Sequence, residues 1–153
     1  MAVITFAAAG GDRFDEIWAL EQRCHPIPWS ESTLKSCLTG NYWGELLLLA
    51  GQPIGFYLFQ QVLDELTLVN ICIAPEQQGQ GYGEQLLEQA LTQALAKQGA
   101  ICFLEVRGQN RAAIKLYEKC GFAEYGLRPD YYPAITGKGR EDALLMSLML
   151  QFR

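Results

Sequence analysis

The chain predicts an α+β domain built on one mixed, mostly antiparallel sheet with flanking helices, and three features carry that expectation. Short apolar runs separated by tight turns succeed one another between residues 45 and 73, as in an antiparallel meander. A glycine-rich loop and a long amphipathic segment then lead to another apolar run at residues 100–106, as in a β-α-β unit. A second helical segment and two closing apolar runs complete the chain, as in a helix and hairpin.

Local pattern sets each element. Residues 1–6 read as a first short strand. Phe14, Ile17, Trp18 and Glu21 keep helical spacing, with only the first three apolar, and Asp12 stands where an N-cap belongs. His25-Pro26-Ile27-Pro28 breaks that helix, and Ser30 caps a second one reaching about Leu38. Residues 45–50, 54–62 and 66–73 are the meander strands, joined by turns at Gly51-Gln52 and Asp64-Glu65. Pro75 ends the third strand. Leu86, Leu87, Ala90, Leu91, Ala94 and Leu95 then form the apolar stripe of the clearest helix, which Gly99 stops as its C′ residue. Residues 100–106 form a strand, Asn110 caps a helix of about ten residues ending at Gly121, and residues 122–127 and 143–152 close the sheet. With no repeat or linker, the whole of residues 1–153 is expected to form a single domain.

Composition narrows the function classes. Half of the 153 residues are apolar and 19% are charged, a globular balance. The net charge of −5 gives no electrostatic footprint for phosphate backbones, so direct nucleic-acid binding is not expected. Five cysteines, an odd number with no C-x-x-C pair, read as buried reduced thiols of a cytoplasmic protein and not as a zinc site; no metal is expected. The first residues carry no basic leader, and no apolar run approaches the roughly 18 residues of a membrane span, so no membrane association is expected.

The loop Gln78-Gly79-Gln80-Gly81-Tyr82-Gly83 joins a strand to a helix. Its glycines let the backbone approach a ligand, and the helix start adds free amides and the positive end of a dipole. That is a pyrophosphate site without a lysine; the plainer reading is a loop that only turns the chain. A dinucleotide fingerprint fails because Glu84 comes directly after Gly83, and the antiparallel meander before the loop also opposes it, although Glu105 lies at the spacing of a ribose-binding acid. A P-loop is excluded because the loop is not succeeded by Gly-Lys-Ser/Thr.

These residues resemble a known family. Gln78-x-x-Gly81-x-Gly83 matches the Q/R-x-x-G-x-G/A signature of the GNAT superfamily of N-acetyltransferases. The run Leu104-Glu105-Val106-Arg107, then Asn110, then Leu116-Tyr117-Glu118-Lys119-Cys120-Gly121-Phe122, matches the segment C-terminal to that signature in the family. Trp29-Ser30, Val62-Leu63-Asp64-Glu65, Tyr131-Tyr132-Pro133 and Glu141-Asp142-Ala143 are similar to the bacterial members that acetylate the N-terminal alanine of a ribosomal protein. The resemblance covers about residues 26–150. It implies the GNAT fold, a mixed sheet splayed into a V, with acetyl-CoA in the cleft and the amine entering opposite. It implies that the backbone of Ile71, Cys72 and Ile73 pairs with the pantetheine arm, and that the loop from Gln78 through Gly79, Gln80, Gly81, Tyr82, Gly83 and Glu84 holds the pyrophosphate. Asn110 would contact the coenzyme, Glu105 would accept the proton and Tyr117 would donate one. Two departures stand out: Gly79 and Gln80 occupy positions where arginines are common, and the loop at residues 137–140 is about two residues longer than in near relatives.

The chemistry has independent physical grounds. Only a neutral amine attacks a thioester. Deprotonating an α-amine at pH 7 costs about 1 kcal/mol, against about 4.6 kcal/mol for a lysine, so a single carboxylate suffices for a peptide N-terminus. Strand alternation puts Glu105 on the face of Ile101 and Phe103, where desolvation is expected to make it a better base. A nearby phenol, Tyr117, can protonate the leaving thiolate. Each residue also has a plainer reading: a solvated glutamate at a strand end, a tyrosine in a helix core. Trp29, Tyr131 and Tyr132 either line a peptide groove or pack under a loop. The pairs Asp64-Glu65 and Glu141-Asp142 are either solvated turns or attract a cationic N-terminus. His25, the only histidine, reads as a plain loop residue, and with one histidine a hydrolase triad has little support. Three functions remain in view: transfer to an N-terminal alanine of a small-subunit ribosomal protein, transfer to a small-molecule or polyamine amine, and a catalytically idle acyl-CoA-binding module.

Overall fold

The computed structural model describes residues 2–152; Met1, part of the expected first strand, and Arg153 lie outside them. The chain runs β1 (Ile4–Ala8), α1 (Phe14–Cys24), α2 (Glu31–Ser36), β2 (Tyr42–Leu49), β3 (Gln52–Val62), β4 (Glu65–Ile73), α3 (Tyr82–Ala96), β5 (Ile101–Arg107), α4 (Arg111–Lys119), β6 (Ala123–Pro133) and β7 (Arg140–Met149). Among the described residues seven strands join one sheet in the order β1-β2-β3-β4-β5-β7-β6, with β4 and β5 its one parallel pair. No helix among the described residues is long and apolar enough to cross a membrane.

Two cores cover the two faces of the sheet. On one, Leu86, Leu87, Ala90, Leu91 and Ala94 of α3 and Tyr117 of α4 pack on Leu66, Leu68, Cys102, Leu104 and Val106. On the other, Ile17 and Leu20 of α1 and Leu34 of α2 pack on Leu46, Phe56, Leu58 and Cys72. The stripe of α3 buries as expected except at Leu95, which is 49% exposed beyond the edge of the apolar face.

Local signals account for most boundaries and fail at a few. Ser30 caps α2 by accepting from the Thr33 N–H, and Asn110 caps α4 by accepting from the Ala113 N–H. Asp12 does not cap α1: it sits in a preceding 3₁₀ turn, and Arg13 holds the cap position without a side-chain capping bond, its guanidinium pairing with Glu16 instead. The β2–β3 turn is Ala50-Gly51, both at positive φ, and the β3–β4 turn begins at Leu63, so each lies one residue before the expected place. The C′ residue of α3 is Gln98 (φ 66), with the 6→1 and 5→2 bonds of a Schellman motif from Gly99 N to Ala94 O and from Gln98 N to Leu95 O.

Gly99 is there for space. A Cβ on it would lie 2.4 Å from Leu66 Cδ1, 2.8 Å from Ala94 O and 2.9 Å from Leu150 Cδ1. Gly99→Ala should therefore destabilise the fold by about 1–3 kcal/mol through overpacking, read as a lower urea midpoint at unchanged slope; an unchanged midpoint would refute the packing argument.

Candidate active site

The site begins with a break in strand pairing. β4 and β5 pair only from Glu65↔Ile101 to Leu68↔Leu104. Beyond that β4 continues against β3 as far as Ile73↔Gly55, and β5 continues against β7 as far as Arg107↔Ala143. The two strands therefore part, and the sheet opens into the expected V. The parting starts at a bulge: Phe59 pairs with Leu68 but Leu58 pairs with Asn70, so Val69 is the extra residue. The bulge also reverses side-chain parity. Leu66 and Leu68 face the α3 core, whereas Cys72 packs in the α1 core and Asn70 bonds to α1, so the side chains past the bulge have changed faces.

A cavity of ≈ 230 Å³ fills the opening, lined among others by Leu68, Asn70, Ile71, Glu105, Tyr117 and Tyr132. Glu105 comes from the face of β5 opposite Cys102, Leu104 and Val106, in the alternation expected of it. Its side chain is 31% exposed, and the Arg128 guanidinium stands 3.4 Å from Oε1. The surroundings thus supply a cation as well as an apolar face, with the guanidinium at ion-pair distance from the carboxyl group. Tyr117 comes from the buried face of α4, where its ring meets Phe122 edge-on at 5.8 Å. Burial, then the neighbouring Tyr132 and Cys102, push its phenol well above the ordinary value, so it holds its proton across neutral pH. Tyr132 is pushed up to about 12, first by burial and then by the charge of Glu105.

The other acceptor-side residues divide. Trp29 and Tyr132 line the cavity, and Arg107 stacks over the Tyr132 ring at 4.5 Å. Tyr131 is 41% exposed and lies outside the cavity lining, with Arg128 over its ring at 5.2 Å. Asp64 and Glu65 are not brought to the site: they lie at the N-terminal end of β4, opposite the parting. Glu141 and Asp142 are near it but engaged. Glu141 pairs with Arg107 at 3.1 Å and accepts from Gln109 N, and Asp142 accepts from Asp130 N at 3.0 Å, so this pair braces the rim. The longer loop contributes to a second cavity of ≈ 570 Å³, which shares His25, Arg107 and Asn110 with the first.

The residues expected to meet the coenzyme lie along one path from the parted edge of β4 to the start of α3. Ile71, Cys72 and Ile73 pair with Tyr57, Phe56 and Gly55 on one side and with no strand on the other. Gln78 points back at the strand, its Nε2 donating to Ile73 O at 2.9 Å, and so ties loop to strand. Gly79 and Gly81 have φ of 79° and 87°, values that suit glycine. Gly81 is the N-cap of α3 and supplies no side-chain cap, unlike Ser30 on α2 and Asn110 on α4. Backbone amides at that helix start are thus available to an anion. Glu84 pairs with Lys119 at 2.9 Å and Tyr82 packs against the core, so these side chains brace the helix start. Asn110 uses its Oδ1 on the Ala113 N–H, which leaves its NH₂ for other bonds. Among the described residues no His/Cys/Asp/Glu group is arranged to hold a metal, and the five cysteines are free thiols.

One cluster was not anticipated. Glu21, 1% exposed, accepts from Asn70 Nδ2 at 2.8 Å and from the Trp29 N–H at 2.8 Å, and Asn70 Oδ1 lies 2.9 Å from His25 Nε2. All four residues line the cavity, so His25 is not a plain loop residue. Two signals were present in the sequence: an acid in the helical stripe that contains Ile17, and an asparagine inside the apolar run of β4.

Residues 14–122 match the acetyltransferase (GNAT) family. The chain is 45% identical over 129 residues to the [ribosomal protein bS18]-alanine N-acetyltransferase of Escherichia coli (strain K12), a match covering 84% of this chain and 86% of that protein. With the protein of the same description from Haemophilus influenzae it shares 43% identity over 137 residues, 90% of this chain and 92% of the other. Its fold superposes on the crystal structure of the Escherichia coli ribosomal-protein-S18-alanine N-acetyltransferase with a TM-score of 0.92 at 39% identity, covering 97% of this chain and 94% of that one. With the parted strands, the glycine-capped helix and this likeness over nearly its whole length, the chain belongs to the acetyltransferase (GNAT) family.

Proposed function

We propose that the protein transfers the acetyl group of acetyl-CoA to the α-amine of an N-terminal alanine, that of the small-subunit ribosomal protein bS18. The observation that carries this reading is the meeting of Glu105 and Tyr117 in the cavity where β4 and β5 part. The 45% identity to a bS18-alanine acetyltransferase supports the choice of acceptor.

The coenzyme fits the residues present. The unpaired edge of β4 at Ile71, Cys72 and Ile73 offers the amide groups that a pantetheine arm can match, and residues 79–84 offer amides to the pyrophosphate. Acetyl-CoA supplies the activated acyl group. Glu105, beside Arg128, takes a proton from the nitrogen as the N–C bond forms. Tyr117 delivers its proton to the departing sulfur; its own burial weakens it as an acid, but the same apolar surroundings raise the proton affinity of a thiolate beside it. A peptide α-amine suits this machinery better than a lysine or polyamine amine because it needs about 3.6 kcal/mol less to become neutral at pH 7.

Offered free Ala, Ser and Met N-termini together with lysine-only peptides and spermidine, the protein should acetylate the Ala peptide at its α-amine, read by mass spectrometry. Transfer to spermidine alone would move the acceptor to polyamines, and coenzyme binding with no transfer would leave an idle acyl-CoA-binding module. Glu105→Gln and Tyr117→Phe should each lower kcat by about 10²–10⁴-fold with the fold intact, Phe keeping the ring contact with Phe122. Wild-type turnover in both variants would overturn these roles.

A further inference from the structure

The cluster behind the acceptor side has a hydrogen-bond logic that fixes one proton. A carboxylate only accepts, so the Asn70 nitrogen must be the atom facing Glu21 Oε1 at 2.8 Å. Asn70 therefore turns its oxygen to His25, and Nε2, 2.9 Å away, must carry the hydrogen. In the neutral ring Nδ1 is then the unprotonated nitrogen, and it has no partner among the described residues. The ring is 31% exposed and lines both cavities, standing where they join.

Glu21 Oε1 lies 3.4 Å from Nε2, and Glu21 is paired with no lysine or arginine among the described residues. Residue 25 also caps the carbonyl end of α1, with His25 N donating to Glu21 O at 3.3 Å. Other charges share the cavities. Glu105 and Arg107 come from β5, each already paired, with Arg128 and Glu141 respectively. Tyr117 comes from α4 and Tyr132 from β6, both protonated near neutrality. On the hairpin side stand Lys138 and Arg140, the latter donating to the carbonyls of Asp130 and Tyr131, with Cys24 beside His25 itself. Glu21 is the carboxylate that directly contacts the ring.

Resting on the acetyltransferase reading, we infer that His25 is a second proton acceptor of the site, taking the proton that an entering α-ammonium must lose before it can attack. The balance of the reaction asks for one. Nitrogen loses two protons between ammonium and amide, while sulfur gains one as the C–S bond breaks and the N–C bond forms. The first proton passes from the ammonium to His25 Nδ1, whose imidazolium Glu21 then stabilises. The second passes to Glu105 during attack, Tyr117 protonates sulfur, and the proton on Glu105 restores Tyr117. His25 releases the remaining proton to water through the outer cavity.

The test is kcat/KM for an Ala-start peptide across about pH 6.5 to 9.5, with coenzyme affinity measured alongside. At about pH 7 only about a tenth of an α-amine is neutral, so His25→Gln should lower kcat/KM by about tenfold there. The deficit should shrink to about twofold at the alkaline end, where the amine arrives neutral, and affinity for CoA should not change. Glu21→Gln should show the same recovery with a smaller deficit, whereas Glu105→Gln stays slow throughout. A deficit of constant size across the range, or none at pH 7, would overturn the role of His25. Should His25→Gln lose CoA affinity and so report misfolding, the Glu21→Gln profile decides by the same criterion. Absence of transfer by the wild-type protein would remove the acetyltransferase reading and this inference together.

Discussion

Backbone N–H and C=O groups of a strand must find partners, and β4 meets that rule against β5 for only four residue pairs. The extra residue at Val69 turns the strand away, and this one insertion has three consequences. The sheet opens, giving the cavity in which Glu105 and Tyr117 meet. One edge of β4 beyond the bulge is left facing that cavity, suited to a ligand that carries amides of its own. Parity changes, so Asn70 points at Glu21 on α1 and not at the α3 core. A β4 without the bulge would keep pairing with β5 and would send Asn70 into an apolar layer without partners, at a cost of about 1–3 kcal/mol.

The chain carries a net charge of −5, yet the proposed coenzyme is a polyanion. That conflict is resolved locally. At the start of α3 the amides are fixed by the fold, and positive φ at Gly79 and Gly81 keeps side chains out of the way. Gln78 contributes from behind by bonding Ile73 O, which couples loop position to the last residue of β4. With glycine and glutamine at positions 79 and 80, a polyanion bound there would be met by backbone amides and the helix dipole and not by guanidinium groups.

Element types and order were legible because most elements carry a periodic apolar face. The α3 stripe, the meander and the Ser30 and Asn110 caps all stand where their patterns put them. The features that escaped did so for physical reasons. Turns slid by one residue because Ala50 and Leu63 adopt positive φ, which side-chain identity does not announce. β6 runs to Pro133, past the expected 127, because Arg140 donates to the carbonyls of Asp130 and Tyr131, and so exposed a strand has no alternation to read. In the site, Glu105 and Tyr117, singled out by the resemblance, line one cavity with Trp29 and Tyr132, for which the sequence left a groove and a loop packing both open. Asp64 and Glu65 lie at the far end of β4, because a short acidic pair looks alike in any turn. Glu21, Asn70 and His25 were overlooked because 49 residues separate the acid from the asparagine, and only the bulge brings them together.

The distribution of charge around the cavity bears on the order in which protons move. Arg128 stands 3.4 Å from Glu105 and rests on the Tyr131 ring at 5.2 Å, so the base already has a cation beside it. An α-ammonium approaching Glu105 would meet like charge from that guanidinium, whereas a neutral amine would meet none. Arg107, the other cation lining the cavity, is held by Glu141 and repels the ammonium in the same sense, with its field reduced by the pair. Glu21 and His25 line the same cavity, and Glu21 is paired with no arginine or lysine among the described residues. In the proposed order, a cationic N-terminus gives its first proton to His25 and meets Glu105 as the neutral amine. Attack then begins from the uncharged nitrogen that thioester chemistry needs, and the carboxylate beside Arg128 is kept for the proton released as the amide forms.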